Sequence, residues 1–249
     1  MPSIDSISIK GSSGRFTSLP AIRYNRAMNS DLNSAEDALQ RFSTKEAAEK
    51  YNKALIGTKK HEREMAALSK ALDYIPNGSS VLDFPCGTGR LYPKLFAKGF
   101  DIIAVDSSWH MASIARANRA DQSTSQESQE GFAVSDILKT AFADNAFDAV
   151  VCNRLFHHFF EPEIRRTAFY ELHRIARKSV VVSYYSTRCI DSCIFKLKNK
   201  LRGRNPTDRV PIAPEVFAAD AAASGLKVVA EFASRSIISM QTYAVLEVR

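Results

Sequence analysis

The residues best suited to chemistry in this 249-residue chain fall in four short runs. The first is V-L-D-F-P-C-G-T-G-R, Val81 to Arg90, in which Asp83 precedes a turn carrying Gly87 and Gly89. Glycine lets a backbone fold sharply and lets a ligand approach the main chain closely. A helix opening directly behind the turn would add free N–H groups and a positive dipole end, suited to a carboxylate or phosphate. Asp106 stands seventeen residues after Gly89, where an acidic group can grip both hydroxyls of a ribose. Asp136, in Val134-Ser135-Asp136-Ile137, can accept from an exocyclic amine such as that of adenine, with Ile137 packing on the ring. Asn153 closes the run Phe147 to Asn153, and His157 and His158 follow it. A neutral histidine suits proton removal at pH 7. Each position also has a plainer reading: a tight turn, a helix cap at Asp106, a turn start at Asp136, packing at the histidines.

These residues need elements to deliver them. Apolar runs Val81–Phe84, Asp101–Val105, Phe132–Val134, Phe147–Cys152 and Ser179–Tyr184 read as buried strands. Helices are expected over 89–97, 109–118, 162–176 and 214–224, with final strands over 227–232 and 242–248. Strands alternating with helices imply an α/β fold with a mostly parallel sheet covered on both faces. Ligands of such sheets bind outside the carboxyl ends of the strands, where these residues emerge. Upstream, Ser43-Thr44-Lys45-Glu46 has capping-box spacing and predicts a helix from Thr44 to about Leu55. A second is expected over 59–74, stopped by Pro76-Asn77-Gly78. Residues 1–30 read as a flexible tail, 31–78 as a helical cap, 79–249 as the main domain, and 121–130 as a surface loop.

Composition narrows the classes. Hydrophobic residues make up 45% and charged residues 24%, a globular balance that excludes fibrous and wholly disordered chains. No apolar run approaches the ~20 residues that span a bilayer, and Met1 to Lys10 has no apolar signal core. Cys86, Cys152, Cys189 and Cys193 are too sparse for a disulfide framework. A cytoplasmic location with free thiols is therefore expected, and no metal, since no ligand cluster is visible.

The runs V-L-D-F-P-C-G-T-G, A-V-D-S-S-W-H-M, S-D-I and A-F-D-A-V-V-C-N-R-L-F-H-H-F together resemble the successive motifs of class I S-adenosylmethionine-dependent methyltransferases. The resemblance covers roughly Glu62 to the C-terminus. It implies a Rossmann-like sheet of seven strands in the order 3-2-1-4-5-7-6, the last antiparallel, with helices on both faces. It implies S-adenosyl-L-methionine as cofactor and S-adenosyl-L-homocysteine as product. Asp83 would hold the amino group, directly or through water, and Pro85, Cys86, Gly87 and Gly89 would line the methionine part. Asp106 would bind the ribose with Ser107 beside it, and Met111 would pack on the adenine. Asp136 and Ile137 would frame the adenine edge, Asn153 would approach the methionine, and Arg63 would meet its carboxylate. His157 would serve catalysis, and His158, Tyr184 and Tyr185 would touch the acceptor. One departure stands out: Pro85 replaces the family's first glycine, removing an N–H. An NAD-type fold is the rival on the same architecture, but it needs Gly three residues after Gly89, where Tyr92 stands.

Between Tyr185 and Arg209 lie Arg188, Lys196, Lys198, Lys200, Arg202, Arg204 and Arg209 against Asp191 and Asp208, so this stretch holds +5 of the chain's +7. Ile190, Cys193, Ile194, Leu197 and Leu201 follow helical spacing with most lysines opposite, a basic amphipathic helix. The favoured reading is a lid over 186–210 with its apolar side on the domain; the alternatives are recognition of an anionic acceptor and contact with an anionic membrane surface. The sequence reading is a methyltransferase acting on O or N of a small molecule. RNA or lipid as acceptor, and a silent cofactor-binding partner subunit, are kept as alternatives. No RNA-binding module is visible, so nucleic acid is not expected as a partner. The oligomeric state is left open.

Overall fold

A computed structural model describes residues 7–10, 16–19, 33–55, 57–120, 130–203 and 209–249. Seven strands form the central sheet: β3 (Ser80–Asp83), β4 (Asp101–Asp106), β5 (Glu130–Val134), β6 (Phe147–Cys152), β7 (Ala176–Tyr185), β8 (Leu226–Ala233) and β9 (Gln241–Val248). Their spatial order is β5-β4-β3-β6-β7-β9-β8. Counted from β3 this is 3-2-1-4-5-7-6, and β9 runs antiparallel to both its neighbours. The order reverses between β3 and β6, so their carboxyl ends open the crevice where ligands of this architecture sit.

The short apolar runs become strands buried on both faces because alternate residues serve two cores. Leu82, Val150, Cys152, Val180, Val182, Ala244 and Leu246 join one cluster with α6 (Pro162–Ile175) and α8 (Pro214–Ala222). Val81, Ala149, Val151, Val181, Tyr243 and Val245 join the other with α3 (Lys59–Leu72) and α4 (Tyr92–Ala97). Burying a Leu or Val side chain contributes roughly 1.5–3 kcal/mol, so this two-sided alternation fixes the strand register. Between α6 and α8 a buried ion pair closes the first face. Arg165 Nε donates to Asp220 Oδ2 at 2.8 Å, and Arg165 Nη1 donates to the Phe160 carbonyl at 2.8 Å.

Several elements depart from expectation. Residues 7–10 and 16–19, expected as tail, pair as two antiparallel strands, β1 (Ile7–Lys10) and β2 (Phe16–Leu19). The rest of the expected tail, and the expected loop at 121–129, lie outside the described residues. The sequence did not suggest α1 (Asn33–Arg41). In α2 (Lys45–Leu55) the cap is Thr44, whose Oγ1 accepts from the Ala47 N–H at 3.2 Å; Ser43 instead donates backward to the Gln40 carbonyl. The helix expected at Gly89 begins at Tyr92, and Gly87 to Leu91 form a turn. Its N–H groups are used inside the turn: Gly89 donates to the Cys86 carbonyl and Tyr92 to the Gly89 carbonyl. No helix end is therefore offered to a ligand there.

The largest departure concerns α7 (Ile190–Leu201). It is the expected amphipathic helix, but its apolar residues Ile190, Ile194, Leu197 and Leu201 face outward and Ser192 is its buried residue. Of the expected lid over 186–210, residues 204–208 lie outside the described residues, and Arg209 is the one described residue of that range in the wall of the main cavity. The cover over the cavity comes from the other end of the chain, from α1, Phe42 and α2.

Candidate active site

A cavity of about 380 Å³ opens at the carboxyl ends of β3, β4 and β6. The chain leaves β3 through a cis Phe84–Pro85 peptide, and the Cys86 N–H donates to the Val105 carbonyl at 2.7 Å, tying the turn to β4. Gly87 then takes φ +56°, a left-handed conformation that glycine accepts without strain. Its N–H donates to Asp106 Oδ2 at 2.9 Å. Asp106 Oδ1 accepts from the Ser108 N–H at 2.9 Å. Each carboxylate oxygen keeps a further lone pair, and the side chain lines the cavity. Burial pushes the Asp106 carboxyl up to about 6, against the lowering effect of its backbone donors.

Of the residues singled out in the sequence, Pro85, Cys86, Gly87, Asp106, Ser107, Met111, Asp136, Ile137, Asn153, His157 and His158 line this one cavity. Asn153 Oδ1 accepts from Ser183 Oγ at 3.0 Å, which holds the amide at the strand end. One oxygen of Asp136 caps its own turn, accepting from the Leu138 N–H at 2.9 Å, so the plain and the functional readings of that residue coexist. Met111, Ile137 and Leu138 supply an apolar seat next to Asp106 and Asp136.

Asp83 lies behind the turn rather than in the wall. It is fully buried, its Oδ1 has no partner, and burial followed by the nearby Asp106 carboxylate raises its carboxyl well above the usual range. Gly89 is not in the wall of this cavity. A Cβ there would meet the Ala115 backbone at 3.2 Å, so this glycine serves the contact with α5 (Trp109–Ala120).

Two assignments are corrected, Arg63 and Tyr184, and a third, Tyr185, is moved to a neighbouring cavity. Arg63 is exposed and lies outside this cavity, because α3 turns Glu64 inward instead. Buried Glu64 meets Arg90 Nη1 at 3.4 Å and Arg154 Nη1 at 3.1 Å, and these two arginines line the cavity in its place. Tyr184 is a core residue: its ring stacks on Phe217 and its hydroxyl donates to Glu231 at 2.6 Å. Tyr185 faces a separate cavity, though its ring stacks on His157 with centroids 4.0 Å apart. That stack buries His157. Burial, then His158, Arg154, Arg209 and Lys60, lower its pKa well below the ordinary value, so the ring is neutral at pH 7, and its Nδ1 has no partner.

Sequence reading missed Arg90, Arg154, Leu155, Tyr51 and the α1 contribution. Two signals were available. Ala35, Ala38, Leu39 and Phe42 have i, i+3, i+4, i+7 spacing, and they are the residues that cover the cavity. Arg90 and Arg154 directly follow the glycine turn and Asn153.

Residues 81–179 match the family model described as a methyltransferase domain. This segment is matched as a methyltransferase domain, and the sheet it contributes to has the strand order expected above. Among curated relatives, an uncharacterized methyltransferase of Schizosaccharomyces pombe is 25% identical over 154 residues, 55% of this chain and 54% of that protein. A tRNA (carboxymethyluridine(34)-5-O)-methyltransferase of Xenopus tropicalis is 34% identical over 104 residues, 42% of this chain and 15% of that protein. The chain thus spans about half the first relative and a small part of the second. Among solved structures, the magnesium protoporphyrin IX methyltransferase of Synechocystis with bound S-adenosylmethionine superposes with a TM-score of 0.66 at 15% identity, covering 89% of this chain and 100% of that one. At that identity the likeness is one of fold.

Proposed function

We propose that the protein is an S-adenosylmethionine-dependent methyltransferase that methylates O or N of a small molecule. The observation that carries the reading is a pair of buried, unpartnered polar atoms: Arg90 Nη2, a donor on a residue of the cavity wall, and Asp83 Oδ1, an acceptor behind that wall that a water would link to the cavity. Unpaired polar groups are costly when buried, and an α-amino acid end brings a carboxylate for the first and an ammonium for the second. Asp106 would accept from ribose hydroxyls, and Met111, Ile137 and Leu138 would hold the base. The bound donor supplies a sulfonium methyl already activated for displacement. The protein's task is then to dry the site, through α1 and Phe42, and to aim the acceptor.

His157 is placed for aiming. A ring whose pKa lies well below the ordinary value accepts a hydrogen bond but keeps a proton poorly. It would orient the acceptor's hydroxyl or amine, and the proton would pass to solvent as the methylated product leaves the dried site. The test is incubation with methyl-labelled donor and separate low-mass, RNA and lipid fractions of a cell extract. Label should enter the low-mass fraction. Label in RNA or lipid alone would overturn the small-molecule reading, and donor binding without transfer to any fraction would point to a silent partner subunit.

A further inference from the structure

A second cavity, of about 280 Å³, adjoins the first. Lys60, Arg63, Arg209 and Arg235 line it with Asp191 as its carboxylate. Arg209 borders both cavities, and Tyr185 lines this one while stacking on His157 of the other. We propose that this cavity holds the acceptor, and that the acceptor carries a phosphate monoester seated among Lys60, Arg63 and Arg235. The proposal rests on the methyltransferase reading for the word acceptor, and on the cavity alone for the anion.

Charge and an orphaned amide carry it. Leaving Arg209 aside, Lys60, Arg63 and Arg235 face one carboxylate among the described residues, an excess of two charges that matches a dianion better than a singly charged carboxylate. Lys60, Arg63 and Arg235 make no salt bridge among the described residues. Lys60 already feels that excess: burial lowers its pKa, Glu64 opposes, and Arg154, Arg209 and Arg90 lower it further. Gln241 is 2% exposed and lines the cavity, yet neither its Oε1 nor its Nε2 has a partner. A buried amide with both ends unsatisfied fits a ligand that both donates and accepts, as a sugar or polyol hydroxyl does. Phosphate at this cavity and a hydroxyl near His157 would place one molecule across the shared wall.

The probe is inorganic phosphate, titrated at pH 7.5 into the full chain with and without S-adenosylhomocysteine. Saturable binding is expected, weakened at least tenfold in an Arg63→Gln/Arg235→Gln variant. Both side chains are exposed, so folding should survive. The variant's affinity for S-adenosylhomocysteine should stay within twofold of the parent's. Equal phosphate binding by parent and variant, or none by either, overturns the proposal. Phosphate binding that the variant loses, in a protein that ignores S-adenosylhomocysteine, would leave the anion site standing and remove the cofactor reading.

A separate observation concerns α7. Ile190, Ile194, Leu197 and Leu201 are 50%, 44%, 57% and 78% exposed. At about 100° per residue these four form one narrow stripe, opposite buried Ser192. Lys198 and Arg202, with Asp191 between them, fall on one flank of the stripe and Lys196 and Lys200 on the other, all exposed, a net excess of three positive charges. We infer that α7 lies on an anionic bilayer surface. Apolar residues would enter the acyl boundary, and cations on both flanks would meet acidic headgroups, a charge match that a neutral or basic protein partner lacks. The expected result is sedimentation with phosphatidylserine-containing vesicles, weakened by salt, absent with phosphatidylcholine alone, and lost in Leu197→Glu/Leu201→Glu. Unchanged sedimentation of that variant overturns the inference. So does a parent that ignores the vesicles and forms a dimer the two substitutions dissolve.

Discussion

The two adjoining cavities are built in opposite ways. The first takes its chemistry from residues that directly follow their own strands: Cys86 and Gly87 after β3, Asp106 at the end of β4, Asp136 just beyond β5, Asn153 after β6. In a parallel sheet every strand delivers its last residues to the same edge, so sequence position almost dictates spatial position. The second cavity gathers Lys60 and Arg63 from α3, Tyr185 from β7, Asp191 from α7, and Arg235 and Gln241 from the turn before and the start of β9. No local pattern announces that meeting. A site made from strand ends can be inherited across a fold, while one assembled from helices and late turns is free to vary with the acceptor.

Four changes break or sharpen this contrast, from the largest effect to the smallest. Asp220→Ala strands Arg165 as an unpaired buried cation and should cost about 3–5 kcal/mol in chemical denaturation. It reaches the first cavity as well, since Arg165 also holds the Phe159 and Phe160 carbonyls just past His157 and His158, and Phe159 lines that cavity. Asp106→Ala should touch the first cavity alone. We expect about 100-fold weaker binding of S-adenosylhomocysteine, near 2.8 kcal/mol, read as loss of ligand-induced thermal stabilisation.

Changing pH probes the same carboxyl more finely. Its pKa in the folded chain, about 6, lies above the free value of 3.8, so burial disfavours its charged form. Its cost to stability is absent below the free value, grows as pH rises, and is complete above about 6. Lowering pH from 7.5 to 5.5 should therefore help the ligand-free parent relative to Asp106→Asn in denaturation. Affinity for S-adenosylhomocysteine should move the other way and weaken, because ribose hydroxyls need the charged acceptor. The smallest effect on cofactor binding is expected from His157→Ala, within twofold in Kd. Its turnover should fall about 100-fold, the low end of what a positioned acid–base group contributes. Unchanged turnover would make the histidine a packing element between the cavities.

The contrast also explains what could be read from the sequence. Strands β3 to β9 and their order were legible because two-sided burial leaves unbroken apolar runs and because the motif spacing matches a known family. The start of α4 was misplaced by three residues, since Gly87 and Gly89 permit a turn as readily as a helix opening. Arg63 was chosen over Arg90 and Arg154 because helical spacing alone does not say that α3 buries Glu64 and draws both arginines to it. Tyr184 and Tyr185 looked alike in sequence, yet neighbouring strand residues point to opposite faces. For α7 the amphipathic pattern was visible but its direction was not. A stripe of apolar residues states that something covers it, and only packing states what. The α1 cover had a clear periodic signal that was passed over, next to a segment rich in serine and arginine.

The most direct measurement is calorimetric titration of the folded, full-length chain with S-adenosylhomocysteine and, in parallel, with a nicotinamide dinucleotide. Saturable heat is predicted with the first at one site per chain, and none with the second. Heat with the dinucleotide and none with the thioether would contradict the assignment of the strand-end cavity.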